Sequence, residues 1–381
     1  MITIKLSGGL GQQLFQICCV LAYSLRHKCP LMLPKVEKTL DKYGKVRNAY
    51  FRTFMKSLKN YNNFSFNTNV MYNEPKFEYS EIPNYYGATT SRTRSRTITV
   101  RCLNGFFQSY KYFEDQFKEI AKQMRLDYYM NKMRSKYMNK INKRMHRYMI
   151  NEESTEFNDS DDSDSEFEFE EENDFEPSIF DEDDTTEPSL AGDDAQAPEE
   201  DTSKQNSIVI KDSDQSTQDE KITKRLEDHI TVSIHFRYVD YKPHTDEFIL
   251  LKLNYYDQAL TRIIDETGAK TITFLYFCDK DDNKIAQECI YRLKLKYNRK
   301  YGKTHKIKFM KCPDIIKDWE QMMIMACCHH NIIANSTFSW WGAYINPNPT
   351  KIVISPSRWF TKESGKSTAD VIPEQWVKIS V

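Results

Sequence analysis

Two short stretches of the chain hold residue types that could do chemistry together. The first is His235-Phe236-Arg237-Tyr238-Val239-Asp240-Tyr241, where a β-branched run, Ile230–Phe236, reads as a buried strand. In open α/β sheets ligands collect outside the carboxyl ends of strands. An arginine there is placed to fork onto a phosphate through two charge-assisted hydrogen bonds. His235 and Arg237 alternate, so an extended strand turns both to one face. Asp240 could orient one of them or receive a proton. The same residues also read as a strand-end salt bridge beside a satisfied histidine.

The second stretch is Asn335-Ser336-Thr337-Phe338-Ser339-Trp340-Trp341-Gly342-Ala343, placed where a strand gives way to a helix. The hydroxyls of Ser336, Thr337 and Ser339, with free backbone N–H groups at a helix start, make an anion site. The plainer reading is an N-cap followed by core aromatics, and Trp340 and Trp341 read mainly as core. A basic strand end and a hydroxyl-rich helix start in one domain suit a diphosphate better than either alone. Asp279, after the strand Thr271–Phe277, could bind a base or a ribose, or be a solvated acid.

A third stretch opens the chain: a strand over 2–6, then Gly8, Gly9 and Gly11, then a helix from Gln12 to Arg26. It is not a dinucleotide fingerprint. Counting from Gly9, the third small position is Leu14, and no acid follows at the distance a ribose needs. It is not a P-loop, since no Gly-Lys-Ser/Thr follows. What remains is a turn whose Gly9 and Gly11 let backbone approach a partner, with Gln12 and Gln13 at a helix N-terminus; a tight strand-to-helix turn explains it equally. The run Cys327-Cys328-His329-His330 suggests zinc, but consecutive helical residues diverge, so no metal site is expected.

The elements that must carry these stretches alternate. Val100–Phe107 reads as a strand and turn, 116–149 as helical, and Asn254–Asp265 as a helix. Ile307–Met310 reads as a strand and Asp318–Cys328 as a helix with Asp318 as N-cap. Asn331–Ala334 reads as a strand, Thr337–Ala343 as a helix, and Lys351–Ile354 as a strand. Alternation of this kind predicts a parallel α/β sheet. The expected division is an α/β unit over 1–150, an insertion over 151–220, and a second α/β unit over 221–381.

The insertion distorts the charge balance. The chain's net charge is −1, but Glu152–Asp201 holds 24 acidic residues and no Lys or Arg. The remainder carries 31 acids against 54 bases, which points to a body that handles anions. Residues 151–220 lack the apolar content to offset ordering entropy and read as disordered. Their plain reading is a solvated linker; a tethered polyanion, or a partner motif around Phe167, Phe169, Phe175 and Phe180, is the functional one. No signal peptide or apolar run of spanning length is seen. The nine cysteines include two adjacent pairs, Cys18-Cys19 and Cys327-Cys328, which read as reduced core residues in a cytoplasmic protein.

In this order the pieces resemble the α-1,2-fucosyltransferases of glycosyltransferase family 11. Gly8-Gly9-Leu10-Gly11-Gln12-Gln13-Leu14-Phe15-Gln16 is similar to that family's opening G-G-L-G-N-Q-M-F-Q. Gly105–Phe113 is similar to G-Y-F-Q-S-x-K-Y-F, and His235–Tyr241 to H-I-R-R-G-D-Y. Tyr255, Tyr256 and Ala259, then Phe277–Lys280, follow the family pattern, and Asn335–Pro347 is close to N-S-S-F-S-W-W-G-A-x-L-N-P; Pro356–Phe360 is similar to the final P-x-x-W-F. The resemblance implies two Rossmann-like domains facing a cleft, the GT-B arrangement. It implies GDP-fucose as donor, a glycan acceptor, inversion at the anomeric carbon, and no required metal. Nucleic acid and membrane are not expected partners. Arg237 would neutralise the β-phosphate as GDP leaves, replacing a divalent cation, and Ser336, Thr337 and Ser339 would add donors. Gly9, Gly11 and Gln12 would face the reacting sugar and the acceptor, and Asp240 is the nominal base. Two departures stand out: Tyr238 and Val239 replace the pattern's second arginine and its glycine, and Gln12 replaces an asparagine. They keep two alternatives open, a weakened GDP-sugar- or glycan-binding relative and a transferase with another nucleotide-sugar donor. A third alternative is an interaction protein whose acidic insertion is the working part.

Overall fold

The computed structural model describes residues 1–61, 70–85, 100–144 and 229–381. The acidic insertion expected over 151–220, and the boundaries drawn beside it, lie outside the described residues. The chain is a mixed α/β protein built on parallel sheets. In the larger sheet six parallel strands run in the order β11-β10-β9-β6-β7-β8. These are β6 (His229–His235), β7 (Thr271–Phe277), β8 (Lys306–Lys311), β9 (His330–Ile332), β10 (Val353–Pro356) and β11 (Val377–Ile379). β7, Thr-Ile-Thr-Phe-Leu-Tyr-Phe, is buried along its whole length, the continuous run expected of a strand covered on both faces. The smaller sheet is also parallel, β1 (Ile2–Ile4), β5 (Arg101–Asn104) and β4 (Val70–Asn73), with β5 central.

An antiparallel hairpin, β2 (Lys38–Leu40) with β3 (Val46–Asn48), is unannounced by periodicity because its strands are three residues each and largely exposed. Asp41 makes its turn. The Asp41 carboxylate accepts the N–H groups of Tyr43 and Lys45 at 3.0 and 2.9 Å, and Gly44 supplies a φ of +78°.

Among the described residues the named helices are α1 (Leu10–His27), α2 (Phe117–Gln123), α3 (Leu126–Met133), α4 (Leu253–Thr267), α5 (Asn283–Tyr301), α6 (Asp318–Cys327) and α7 (Thr337–Tyr344). The helical stretch expected from 116 is thus α2 and α3, followed by a π-helical turn at Arg134–Met138. Asp318 is not the N-cap of α6. Lys317 holds that place, and the Asp318 carboxylate accepts the N–H of Trp319 inside the first turn. β10 begins two residues later than expected, since Lys351 turns its ammonium onto the carbonyls of Ala343, Tyr344 and Asn346.

The two sheets share a core. Phe15 of α1 sits 4.4 Å from the ring of Trp340 and 5.1 Å from Trp341, and Phe113 stacks on Trp341 at 5.3 Å. All four are buried in one continuous apolar cluster that runs from β1 and α1 to α6 and α7. Each tryptophan takes about 200 Å² or more from water, about 5 kcal/mol by area. A second cluster, around α4 and α5, covers the other face of the large sheet.

Candidate functional site

A cleft of about 830 Å³ opens where the two sheets meet. Its walls bring together residues far apart in sequence: the Gly9–Gln12 loop, the β2–β3 hairpin, the carboxyl end of β6, and the start of α7. Of the residues singled out from sequence, His235, Arg237, Asp240, Asp279, Asn335, Ser336, Thr337, Gly9, Gly11 and Gln12 all line it.

Two helix starts meet in this cleft. A Cβ on Gly11 would fall 2.5 Å from the carbonyl carbon of Thr337 and 2.6 Å from its Oγ1, so only glycine lets α1 and α7 approach so closely. The Trp341 indole N–H donates to the Gly11 carbonyl at 2.9 Å and locks the contact. Gly8 is needed for another reason, its φ of +77°. A Cβ on Gly9 would meet nothing within 4 Å, so this glycine leaves open space in the cleft rather than fitting a neighbour. Gln13 is not presented to the cleft. It is buried, its amide donating to the carbonyls of Gly8 at 2.9 Å and Asn48 at 2.7 Å, which ties the glycine loop to the hairpin. Gln16 does the same on the other side, holding Ser7 and the Gly105 carbonyl.

Arg237 leaves the end of β6 and reaches two carboxylates. One guanidinium nitrogen donates to Asp240 and the other to Asp279 at 3.4 Å. Burial opposes its charge, but Tyr241, Asp240, Asp279 and Asp282 outweigh that and hold it protonated. Asp282, unremarked in the sequence, is fully buried and accepts the N–H groups of Tyr238 and Val239 at 3.2 and 2.7 Å. It fixes the loop from which Arg237 and Asp240 project. Burial raises the pKa of Asp282.

His235 is buried and bonded through Nδ1 to the Ser339 hydroxyl at 2.9 Å. Burial, helped by the Arg237 charge, pushes its pKa down to about 3, so the ring is neutral near pH 7. Ser339 is spent on this bond and does not line the cleft. Ser336 is the N-cap of α7, its hydroxyl accepting the Phe338 N–H at 3.3 Å. The Asn335 amide ties down the carbonyls of Ile249 and Trp359. Thr337 stands at the first helical position, against Gly11.

The Gly105–Phe107 segment supplies another wall. Glu74, a half-buried carboxylate whose pKa desolvation raises, accepts the N–H groups of Phe106 at 2.7 Å and Phe107 at 3.1 Å. These bonds hold Phe107 at a φ of +52°, a left-handed conformation rare for an aromatic residue. Phe106 lines the cleft with Phe77, Phe248 and Phe360. The excess of bases in the rest of the chain is not concentrated here: six Lys and Arg and six Asp and Glu line the cleft.

The Cys327–His330 run is committed to separate bonds. The thiols donate to the carbonyls of Met130 and Ile324, and the imidazoles accept the N–H groups of Thr231 and Ile352. All nine cysteines carry free thiols. Among the described residues no helix is long and apolar enough to cross a membrane.

Residues 206–380 match the family model of glycosyl transferase family 11. The O-antigen biosynthesis glycosyltransferase WbnK of Escherichia coli is 32% identical over 152 residues, 39% of this chain and 44% of WbnK. An α-1,2-colitosyltransferase of Escherichia coli is 31% identical over 157 residues, 39% of this chain and 47% of the relative. The chain therefore spans less than half the length of these curated relatives. A solved trehalose-6-phosphate synthase, OtsA, overlaps 41% of this chain and 35% of its own at 11% identity and a TM-score of 0.24, too low to carry an argument. The match over 206–380, joined to the two curated likenesses, makes this part of the chain similar to glycosyltransferase family 11.

Proposed function

We propose that the chain moves fucose from GDP-fucose to a glycan hydroxyl, forming an α-1,2 linkage with inversion, in a GT-B-like cleft between its two α/β halves. The observation that carries this reading is Arg237, held at the carboxyl end of β6 beside the α7 N-terminus and across the cleft from the Gly9–Gln12 loop. The acceptor hydroxyl attacks the anomeric carbon on the face away from GDP. The bond to the β-phosphate oxygen breaks, its electron pair leaves with GDP, and Arg237 takes up the developing charge, work that a divalent ion does in other transferases. The hydroxyl proton passes to a base on the acceptor's face of the sugar, opposite Arg237 and the Asp240 bonded to it. Neutral His235 keeps positive charge from accumulating beside Arg237 and, through Ser339, fixes the first turn of α7. Phe77, Phe106 and Phe360 offer apolar faces on which a sugar ring can stack.

The name of the colitosyltransferase relative supports the α-1,2 linkage and makes colitose the other donor sugar to test. The assay is GDP release by the full chain in EDTA, with galactose-ended acceptors and either GDP-fucose or GDP-colitose. Turnover is expected, and Arg237→Ala should lower it by about 100-fold or more. GDP-sugar binding with no GDP formed on any acceptor would establish a binding module instead. That alternative has its own support: Tyr238 packs against the apolar cluster of the large sheet and adds no charge to the cleft.

A further inference from the structure

The C-terminal half offers the donor's phosphates Arg237, followed by Tyr238 and Val239, which add no charge. Tyr238 stacks with Phe236 at 6.3 Å, away from the cleft lining. Asp240 nevertheless has more cations around it than its own loop supplies. Arg237 donates to it. Lys45 Nζ lies 3.8 Å from its Oδ1, and Arg47 Nη2 lies 3.8 Å from its Oδ2. Both latter residues belong to the β2–β3 hairpin on the opposite wall.

Their position is built. The Asp41 carboxylate orders the turn and accepts Arg47 Nε at 3.0 Å. The hairpin tip is pinned across the cleft, with Tyr43 stacked on His244 at 3.8 Å and Lys42 paired to Glu247. A separation of 3.8 Å is too long for a hydrogen bond, so Lys45 and Arg47 face Asp240 without being committed to it. A carboxylate with three cations within 4 Å marks the point in the cleft where a larger anion is best held.

We propose that Lys45 and Arg47 are phosphate ligands supplied by the N-terminal half, and that Asp240 holds their place until the donor's diphosphate displaces it. The inference rests on the nucleotide-diphosphate reading above. The phosphates then bridge Arg237 on one wall to Lys45 and Arg47 on the other, so donor binding clamps the hairpin over the cleft.

The test is calorimetric titration of the full chain with GDP and, separately, with inorganic pyrophosphate. Lys45→Gln is the first variant, because that side chain is 59% exposed and its loss leaves packing alone. Arg47→Gln is the second, with a melting curve to show that the hairpin's Asp41 contact is not needed for folding. Each should weaken both ligands about tenfold, Lys45→Arg should restore binding, and Asp240→Asn should tighten pyrophosphate. If Lys45→Gln and Arg47→Gln bind GDP as the wild type does while Arg237→Ala binds weakly, the hairpin assignment is overturned and the diphosphate reading stands. If Asp240→Asn binds pyrophosphate no tighter, the place-holding role is overturned. A wild-type chain that binds neither ligand overturns both readings.

Discussion

Replacing Gly11 by alanine puts the seam between α1 and α7 to the test. The new methyl would lie 2.5 Å from the Thr337 carbonyl carbon and 2.6 Å from its oxygen. Carbon–carbon contacts settle near 3.5–4.0 Å, so one helix start must retreat by about 1 Å. Both partners are backbone, and neither can give way by turning a side chain. Overpacking of this kind costs about 1–3 kcal/mol. Against it stands the gain of about 1 kcal/mol for alanine over glycine within a helix. Taking the middle of the overpacking range, the balance is about 1 kcal/mol, a fall in melting temperature of about 2–4 °C. The same retreat displaces the glycine loop from the α7 N-terminus, and a shift of about 1 Å at a reacting centre can cost about 100-fold in rate. Gly9→Ala is the control, since its methyl enters open space at an extended φ of −78°. It should melt with the wild type and lose activity only by intruding on the cleft. Thermal melts and GDP release on both variants decide the matter. Gly11→Ala melting at or above the wild type would refute the close-approach argument, because propensity would then have outweighed the contact.

The hairpin's grip on the opposite wall should weaken in acid. Burial raises the pKa of Glu247, yet Lys366 and Lys42 more than reverse this and hold it at about 2 against an ordinary 4.5. A depressed pKa adds stability that is complete above about pH 4.5 and is lost as the pH falls toward 2, here at most about 3 kcal/mol. The gap in urea midpoint between wild type and Glu247→Gln should therefore narrow from pH 6 to pH 3; a gap of unchanged size contradicts the pairing. Trp341→Phe strands the Gly11 carbonyl and should cost about 1–3 kcal/mol by urea unfolding, and an unchanged midpoint would mean that water replaces the indole. Glu74→Ala leaves two backbone N–H groups without their acceptor and frees Phe107 from its strained φ. A loss of about 2–4 kcal/mol is expected, and a wild-type midpoint would show that the 105–107 wall holds itself.

Much of the large sheet was legible because β6, β7, β9 and β10 are short, buried and bounded. β7 begins and ends where its β-branched and aromatic residues do, and β6 is displaced from expectation by one residue. The residues singled out around Arg237 and Ser336 come together because parallel strands deliver their carboxyl ends to one edge. The hairpin escaped notice because Lys38–Leu40 and Val46–Asn48 bury a single residue, Thr39, too little to impose a visible alternation, though the Asp41–Gly44 turn was a signal. α5 carries a readable stripe, Ala286, Cys289, Ile290, Leu293 and Tyr297, behind an acidic run that reads as loop. The loop-fixing work of Gln13, Glu74 and Asp282 is different in kind. Each acts on backbone groups, and nothing in a polar residue's type tells whether its partner is main chain or ligand.

The bond from Trp341 to Gly11 spans 330 residues. At about 5–20 residues per second, synthesis takes roughly 15–65 s to cover that distance. Throughout that interval the apolar face of α1, with Phe15 at its centre, has no Trp340 or Trp341 to close on. A helix made 330 residues before its partner is thus among the last to find its place, and it waits while the acidic stretch is made behind it. A nascent chain stalled before residue 337 should therefore expose α1 to chaperones and proteases, and one released beyond it should not.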